Sequence, residues 1–518
     1  MSAWASVTPR VRARSVLERA WDVIVVGSGV GGLVCAALLA LRANKRVLVL
    51  ERHYEIGGLT QTFRRGRHRF EVGVHYVGDV GRGLPRRLFE LACGPRLAWA
   101  PLPPQHDRVI GPGLDVRLGG DRTALRAQWL SVARGEERAA DRLLDAIVEC
   151  ARAAPAHLHG RLRRGARQDR SAFLGWSDRT VTEVVEDCGA SPRLGLLATY
   201  PWTNYGSTPD VASFAALAIT SAHYLGGASY PVGGGGSIAR AMADTIAAAR
   251  GAVVVRAEVA RVRIAAGRVE GVTLSDGLEL SAPIVVSDAG ARVSFDRLAP
   301  EDVEGRATAH AIGPSGAYVG GYVGLGRTPA EAGLDGANVF VAAHEGLAVR
   351  QEIDDERAPH VFVSTVCAVD PSLGARMPGR AVLSLARPIS AARFAAWSNA
   401  RHAHRGADYE AEKARLAARL VEVARGALPA LGEIERLEVS TPLSSAHFSQ
   451  HPFGEMYGLA PTPQRFRRGP GPHTSIEGLF LTGADVWTGG VVGAALGALL
   501  CASAVTRRDL FTELALRG

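Results

Sequence analysis

Three glycines and one acid carry the first chemistry in the chain. Gly27, Gly29 and Gly32 stand in Gly27-Ser28-Gly29-Val30-Gly31-Gly32, directly after the apolar run Val23 to Val26. Glu51 closes a second apolar run, Val47 to Leu50, nineteen residues after Gly32. The pattern suits the pyrophosphate of a dinucleotide. Gly27 permits a tight turn, Gly29 lets the backbone approach a phosphate, and Gly32 lets the helix pack closely on the strand. The helix start adds free N–H groups and the positive end of its dipole. Glu51 stands where a carboxylate accepts hydrogen bonds from ribose hydroxyls. The elements that must position these groups are a strand, a small-residue helix and a second strand, a βαβ unit.

Further stations follow along the chain. Gly57-Gly58, in Arg52-His53-Tyr54-Glu55-Ile56-Gly57-Gly58-Leu59-Thr60, offers a second close backbone approach soon after the ribose acid. Phe70 to Gly78 alternates like a strand and carries His75 and Tyr76 into a glycine turn. From about residue 84 to 228 the spacing is helical, as at Asp141 to Ala151 and Thr180 to Cys188. Tyr230-Pro231-Val232-Gly233-Gly234 then precedes a helix, several strands and the buried strand Pro283 to Ser287. Residues 301 to 465 mix strands with an amphipathic helix at Asp408 to Leu428. Leu479 to Leu481 meets Gly483-Ala484-Asp485, and Gly489 to Gly493 opens a helix of small residues. Such a helix start can press against an anion or a planar ring.

Composition excludes other classes. Sixty Lys plus Arg against fifty-one Asp plus Glu give a net charge of +9, mild for 518 residues and without a basic stripe interleaved with aromatics, so nucleic acid is not an expected partner. Cys35, Cys93, Cys150, Cys188, Cys367 and Cys501 show no CxxC spacing, so neither a metal site nor a disulfide framework is expected, and a reducing cytoplasm fits. Residues 1–19, with Arg10, Arg12, Arg14 and Arg19, read as a tail. No apolar run is long enough to span a bilayer. Cys150 to Trp176 mixes Arg152, Arg161, Arg163, Arg164, Arg167 and Arg170 with Leu158, Leu162, Phe173, Leu174 and Trp176, the composition of an interfacial segment; a solvated helix and loop is the simpler reading. The expected location is cytoplasmic, with peripheral contact at the inner membrane face.

With these stations quoted, the chain resembles the FAD-dependent phytoene desaturase and carotenoid isomerase superfamily, most closely its all-trans-retinol 13,14-reductase (retinol saturase) branch. The resemblance rests on Gly27 to Glu51 with Gly57-Gly58, on Glu71 to Tyr76, on Tyr230 to Gly234, on Met456-Tyr457-Gly458-Leu459, and on Leu481 to Asp485 with Gly489 to Gly493. It implies an α/β fold with a discontinuous Rossmann-like FAD-binding domain (20–115, 229–300, 470–518) and an inserted mixed α+β substrate domain (116–228, 301–469). It also implies that Gly27, Gly29 and Gly32 hold the pyrophosphate, that Glu51 takes the ribose with Arg52 beside it, and that Gly57, Gly58 and Thr60 lie along the flavin chain. Val259 is placed at the adenine, Gly483 and Asp485 at the ribityl and pyrophosphate region, and Gly490, Val491 and Val492 beside the isoalloxazine. His75 or Tyr76, then Tyr457, are the candidate proton donors.

The implied reaction is flavin-dependent saturation of a carbon–carbon double bond in an apolar polyene or isoprenoid lipid. A desaturase or cis-trans isomerase on the same scaffold is the nearest alternative. A non-catalytic lipid carrier like the Rab GDP-dissociation inhibitors is the alternative from another class, which the intact glycine turn, Glu51 and Gly483-Ala484-Asp485 disfavour. No second glycine fingerprint with a trailing acid occurs, so the electron donor or acceptor is expected to be small, diffusible or membrane-borne.

Overall fold

Two apolar runs, Val23 to Val26 and Val47 to Leu50, form the centre of a parallel sheet. The computed structural model describes residues 7–10, 13–162, 172–342, 344–355 and 360–515; Arg12, Arg163, Arg164, Arg167 and Arg170 of the segments named above lie outside them. Along the chain run β1 (Val7–Pro9), β2 (Val23–Val26), α1 (Val30–Ala43), β3 (Val47–Glu51), β4 (Ala252–Val255), β5 (Val285–Ser287), β6 (Leu479–Leu481) and α2 (Val491–Thr506). The six strands pair in the order β1-β4-β3-β2-β5-β6, every pair parallel. Every residue of β2 and β3 is buried, which is why both read as unbroken apolar runs rather than alternating ones.

Residues 1–19 are not simply a tail. Val7 pairs with Val253 at the sheet's edge, and Ala13 and Leu17 are buried against the core that holds Trp21 and Ile24. Three residues are too few to show a period, and only the open edge of β4 makes them a strand.

The second sheet has seven strands in the order Ile434–Ser440, Ala317–Leu325, Ala381–Ile389, Val361–Ser364, Asn338–Val341, Asp107–Gly111 and Leu114–Leu118. Its neighbours are antiparallel except that Asn338–Val341 runs parallel to Asp107–Gly111. The hairpin at 107–118 therefore starts this sheet before residue 116, inside a stretch whose later spacing is helical. Long helices follow it, among them Glu137–Gly160 and Phe214–Tyr224. The expected strand across 70–78 is two short ones, His68–Glu71 and Val77–Gly78, with His75 and Tyr76 on the irregular segment between. Among the described residues no helix is long and apolar enough to cross a membrane.

Gly31 of α1 and Gly497 of α2 both pack against Gly483, in the turn after β6. A Cβ added at Gly31 would stand 2.3 Å from the Gly483 Cα, and one at Gly497 2.2 Å from the Gly483 carbonyl oxygen. Backbone cannot yield as a side-chain tip can. Gly31→Ala is expected to lower the unfolding free energy by about 1–3 kcal/mol in urea titrations, the usual cost of overpacking. Gly426→Ala, in the helix Ala407–Ala427 with nothing within 4 Å of the added carbon, should be neutral or slightly stabilising.

Candidate active site

A cavity of about 690 Å³ runs between the two sheets and is lined by residues from almost every station of the sequence. At one end lies the turn after β2. Gly27 has φ +98°, a conformation a side chain would strain, and α1 begins at Val30 after Gly29, which has no side chain to cap it. Val30 and Gly31 line the cavity beside Gly29, so the helix start opens on it.

Glu51 is fixed by its own neighbours. Its Oε2 accepts hydrogen bonds from Ser28 N at 3.0 Å and Ser28 Oγ at 2.6 Å, and its Oε1 accepts from His53 N at 2.7 Å. Gly57 N donates to the Ser28 carbonyl at 3.0 Å, joining the glycine doublet to the fingerprint. Thr60 Oγ1 donates to the Gly57 carbonyl at 2.8 Å. Glu51, Arg52, Gly57, Gly58, Thr60 and Val259 all line the cavity. Arg52 also holds its far wall, donating through Nη1 to the carbonyls of His447 and Phe448 at 3.1 and 2.9 Å.

The C-terminal station closes the same space. Asp485 accepts from Leu459 N through Oδ1 and from Ala291 N through Oδ2, each at 2.7 Å, and so ties three segments together. Asp485, Gly490 and Val491 line the cavity. Gly32, Gly483 and Val492 do not: Gly32 is held against the Gly27 carbonyl, Gly483 is spent on the contact with α1, and Val492 is buried in the core. All three stand next in sequence to residues that do line it, and Gly32 makes the close packing that its place in the fingerprint predicts.

Sequence reasoning passed over Asp288, at the end of β5. Its carboxyl lies among Gly29, Gly31, Gly32 and Gly483, and a Cβ at Gly31 or Gly29 would stand 2.4 or 2.5 Å from its oxygens. Burial pushes this acid up to about 7, aided by the negative charges of Glu51 and Asp485 and opposed by backbone N–H groups of Gly32 and Gly29. The available signal was an acid directly after a buried strand, two residues before Gly290.

The other end is walled by Phe362, Tyr318, Met456, His75, Asn204 and Tyr457. His75 lines the cavity with its Nδ1 unpartnered and its ring 4.9 Å from that of Phe362; burial pushes the imidazole down to about 4, so it is neutral at pH 7. Tyr457 is clamped between two glycines: added Cβ atoms at Gly206 and Gly489 would stand 2.6 and 2.8 Å from its ring. Burial raises its hydroxyl, which keeps its proton. Tyr76, a candidate donor, does not reach the cavity; its hydroxyl points away and donates to Asp107 at 3.2 Å. Among the described residues no cluster is suited to a metal ion.

Sheet, cradle and cavity together define a Rossmann-type dinucleotide-binding oxidoreductase. Residues 25–89 match the NAD(P)-binding Rossmann-like domain. The chain is 31% identical to an all-trans-retinol 13,14-reductase of Danio rerio, across 95% of this chain and 87% of that protein. It is 25% identical to a chloroplastic prolycopene isomerase of Arabidopsis thaliana, across 94% of this chain and 83% of that one. A solved putrescine oxidase shares the fold, with a TM-score of 0.63 at 18% identity over 94% of this chain and 99% of that one. The chain belongs to the all-trans-retinol 13,14-reductase family.

Two buried acids give the apoprotein a measurable pH response. Glu71, which accepts from Gly235 N at 2.8 Å, is also pushed up by burial to about 7. Between about pH 4 and 7 the folded protein holds protons that the unfolded chain has released, so stability falls as pH rises through that window. Thermal melts of flavin-free protein at pH 5 and 7.5 should show this fall, smaller in Asp288→Asn and smaller still in Glu71→Gln/Asp288→Asn. An unchanged difference in the double variant would contradict the assignment.

Proposed function

We propose that the protein is an FAD-dependent reductase that saturates a carbon–carbon double bond of an apolar polyene, retinoid or carotenoid-like. The observation that carries this reading is the single cavity joining the dinucleotide cradle to an aromatic end that holds Tyr457 and His75. Membership of a family whose Danio rerio relative is named for reducing all-trans-retinol supports the substrate class. The residues present fit FAD. Glu51 lines the cavity and its Oε1, with one donor, can accept another, the start of α1 suits a pyrophosphate, and Gly57, Gly58, Thr60, Val259, Gly490 and Val491 line the remaining path.

Bound, reduced FAD supplies hydride chemistry at N5 toward one carbon of a conjugated alkene. The neighbouring carbon then needs a proton, and this chain offers two groups. Tyr457 holds one at every working pH and is fixed by its glycine clamp. Neutral His75 carries the protonated form in only about one molecule in a thousand at pH 7, given a value of about 4. Tyr457 is therefore the donor, with His75 packing and orienting beside Phe362. Phe362, Tyr318 and Met456 exclude water and hold the chain of the polyene. The electrons come from a small diffusible or membrane-borne donor, and peripheral contact with a membrane would supply the apolar substrate.

The test is anaerobic. Purified protein should be yellow, and after photoreduction a retinoid or carotenoid should reoxidise the flavin while gaining two mass units. Loss of two mass units from substrate and oxidised enzyme would reverse the direction, to a desaturase; a product of unchanged mass and altered geometry would make it an isomerase. Colourless protein that cannot be reconstituted with FAD would leave a lipid carrier. Tyr457→Phe should slow single-turnover reoxidation by about 10²–10⁴-fold with flavin still bound.

A further inference from the structure

One polar group at the aromatic end has no part in proton delivery. Asn204 lines the cavity there, within the 3-10 turn Tyr200–Asn204, and its amide direction is set from behind. Asp107, wholly buried at the head of the strand Asp107–Gly111, accepts through Oδ2 from the Tyr200 hydroxyl at 2.8 Å and the Tyr76 hydroxyl at 3.2 Å. A phenol has one hydrogen. With that of Tyr76 given to Asp107, its oxygen can only accept, and Asn204 Nδ2 donates to it at 2.8 Å. The direction follows with Asp107 ionised, its Oδ2 accepting from both hydroxyls.

Rotating the amide would bring Oδ1 against an oxygen with no hydrogen between them. Asn204 Nδ2 therefore stays with Tyr76, and Oδ1 is left to the cavity. Among the described residues nothing donates to it. The network behind is rigid: the Tyr76 ring stacks on Tyr224 with centroids 4.4 Å apart, and Tyr200 meets Phe340 edge-on at 4.8 Å. The neighbouring backbone is pinned as well, since Tyr318 donates its hydroxyl to the Thr203 carbonyl at 2.7 Å.

A carbonyl that faces the cavity among aromatic walls loses its hydrogen bonds when an apolar ligand displaces water from it, unless that ligand donates in turn. A hydrocarbon cannot. We infer that Asn204 is a specificity-determining residue, accepting a hydrogen bond from a hydroxyl on the polyene, and that Tyr76 and Asp107 are positioning residues that aim its amide. This rests on the polyene-reductase reading and adds to it. Asn204 is two residues from Gly206, which touches the Tyr457 ring. The alcohol is thus read close to the proton donor, and the bond reduced is one near the hydroxyl end.

The experiment compares three polyenes of one skeleton, bearing an alcohol, its methyl ether, or no oxygen, as oxidants of the photoreduced holoenzyme. The expected result is a kcat/KM for the alcohol about tenfold or more above both others, carried mainly by KM. In Asn204→Leu the ratio should fall toward one. In Tyr76→Phe, which removes the acceptor behind the amide, it should also fall, and this variant decides the matter if Asn204→Leu does not fold. Equal rates for the three compounds in the unaltered enzyme, or a preference that survives either variant, would overturn the role of Asn204 while leaving the reductase standing. If none of the three reoxidises the flavin, the polyene reading itself fails and the proposal with it.

Discussion

The structure depends on how closely backbone can approach backbone at the start of α1. Gly31 there touches Gly483 from the far end of the chain, and the Asp288 carboxyl fits between them. No residue with a Cβ could occupy Gly31 without moving one of two backbones. The contact joins β2, β5 and β6, three strands whose sequence positions lie hundreds of residues apart, at the point where a phosphate would be held. It also brings the Asp288 carboxyl to the start of α1, where burial pushes it up to about 7.

The parts legible in the sequence are those where one local pattern has one physical solution. Val23 to Val26 and Val47 to Leu50 are apolar throughout because both faces are covered, and the glycine turn between strand and helix has few alternatives. Asp485 could be singled out because it follows a strand and a glycine. What it holds was not legible, since its partners, Leu459 N and Ala291 N, come from two other segments. The same holds for Val7–Pro9, a strand only because an edge awaits it. Gly32 packs as its place in the motif predicts, whereas the partner of Gly483, Gly31 from the far end of the chain, was not legible: glycine marks a close approach without saying to what.

The aromatic end was the least legible part. Its walls are single residues from separated segments, Phe362, Tyr318, Asn204 and Tyr457, none of them in a motif with a spacing rule. Whether His75 or Tyr76 faces the cavity depends on the backbone's path between two short strands, which alternation alone does not determine. Once the path is known, electrostatics sorts the groups. A neutral imidazole, a protonated phenol and an amide give these walls no charge of their own, a surface that suits a long conjugated chain.

The sheet order has a consequence for how the protein is made. β6, an edge strand, is Leu479–Leu481, and the glycine that meets α1 follows it at Gly483. During synthesis the first βαβ unit leaves the ribosome more than four hundred residues before its last neighbour. Until then the start of α1 lacks one wall, and the apolar faces of β2 and β5 wait uncovered. Assembly of the nucleotide site is thus a late event, set by chain completion rather than by local folding, and a chain cut short before residue 481 would expose those faces and aggregate rather than bind weakly.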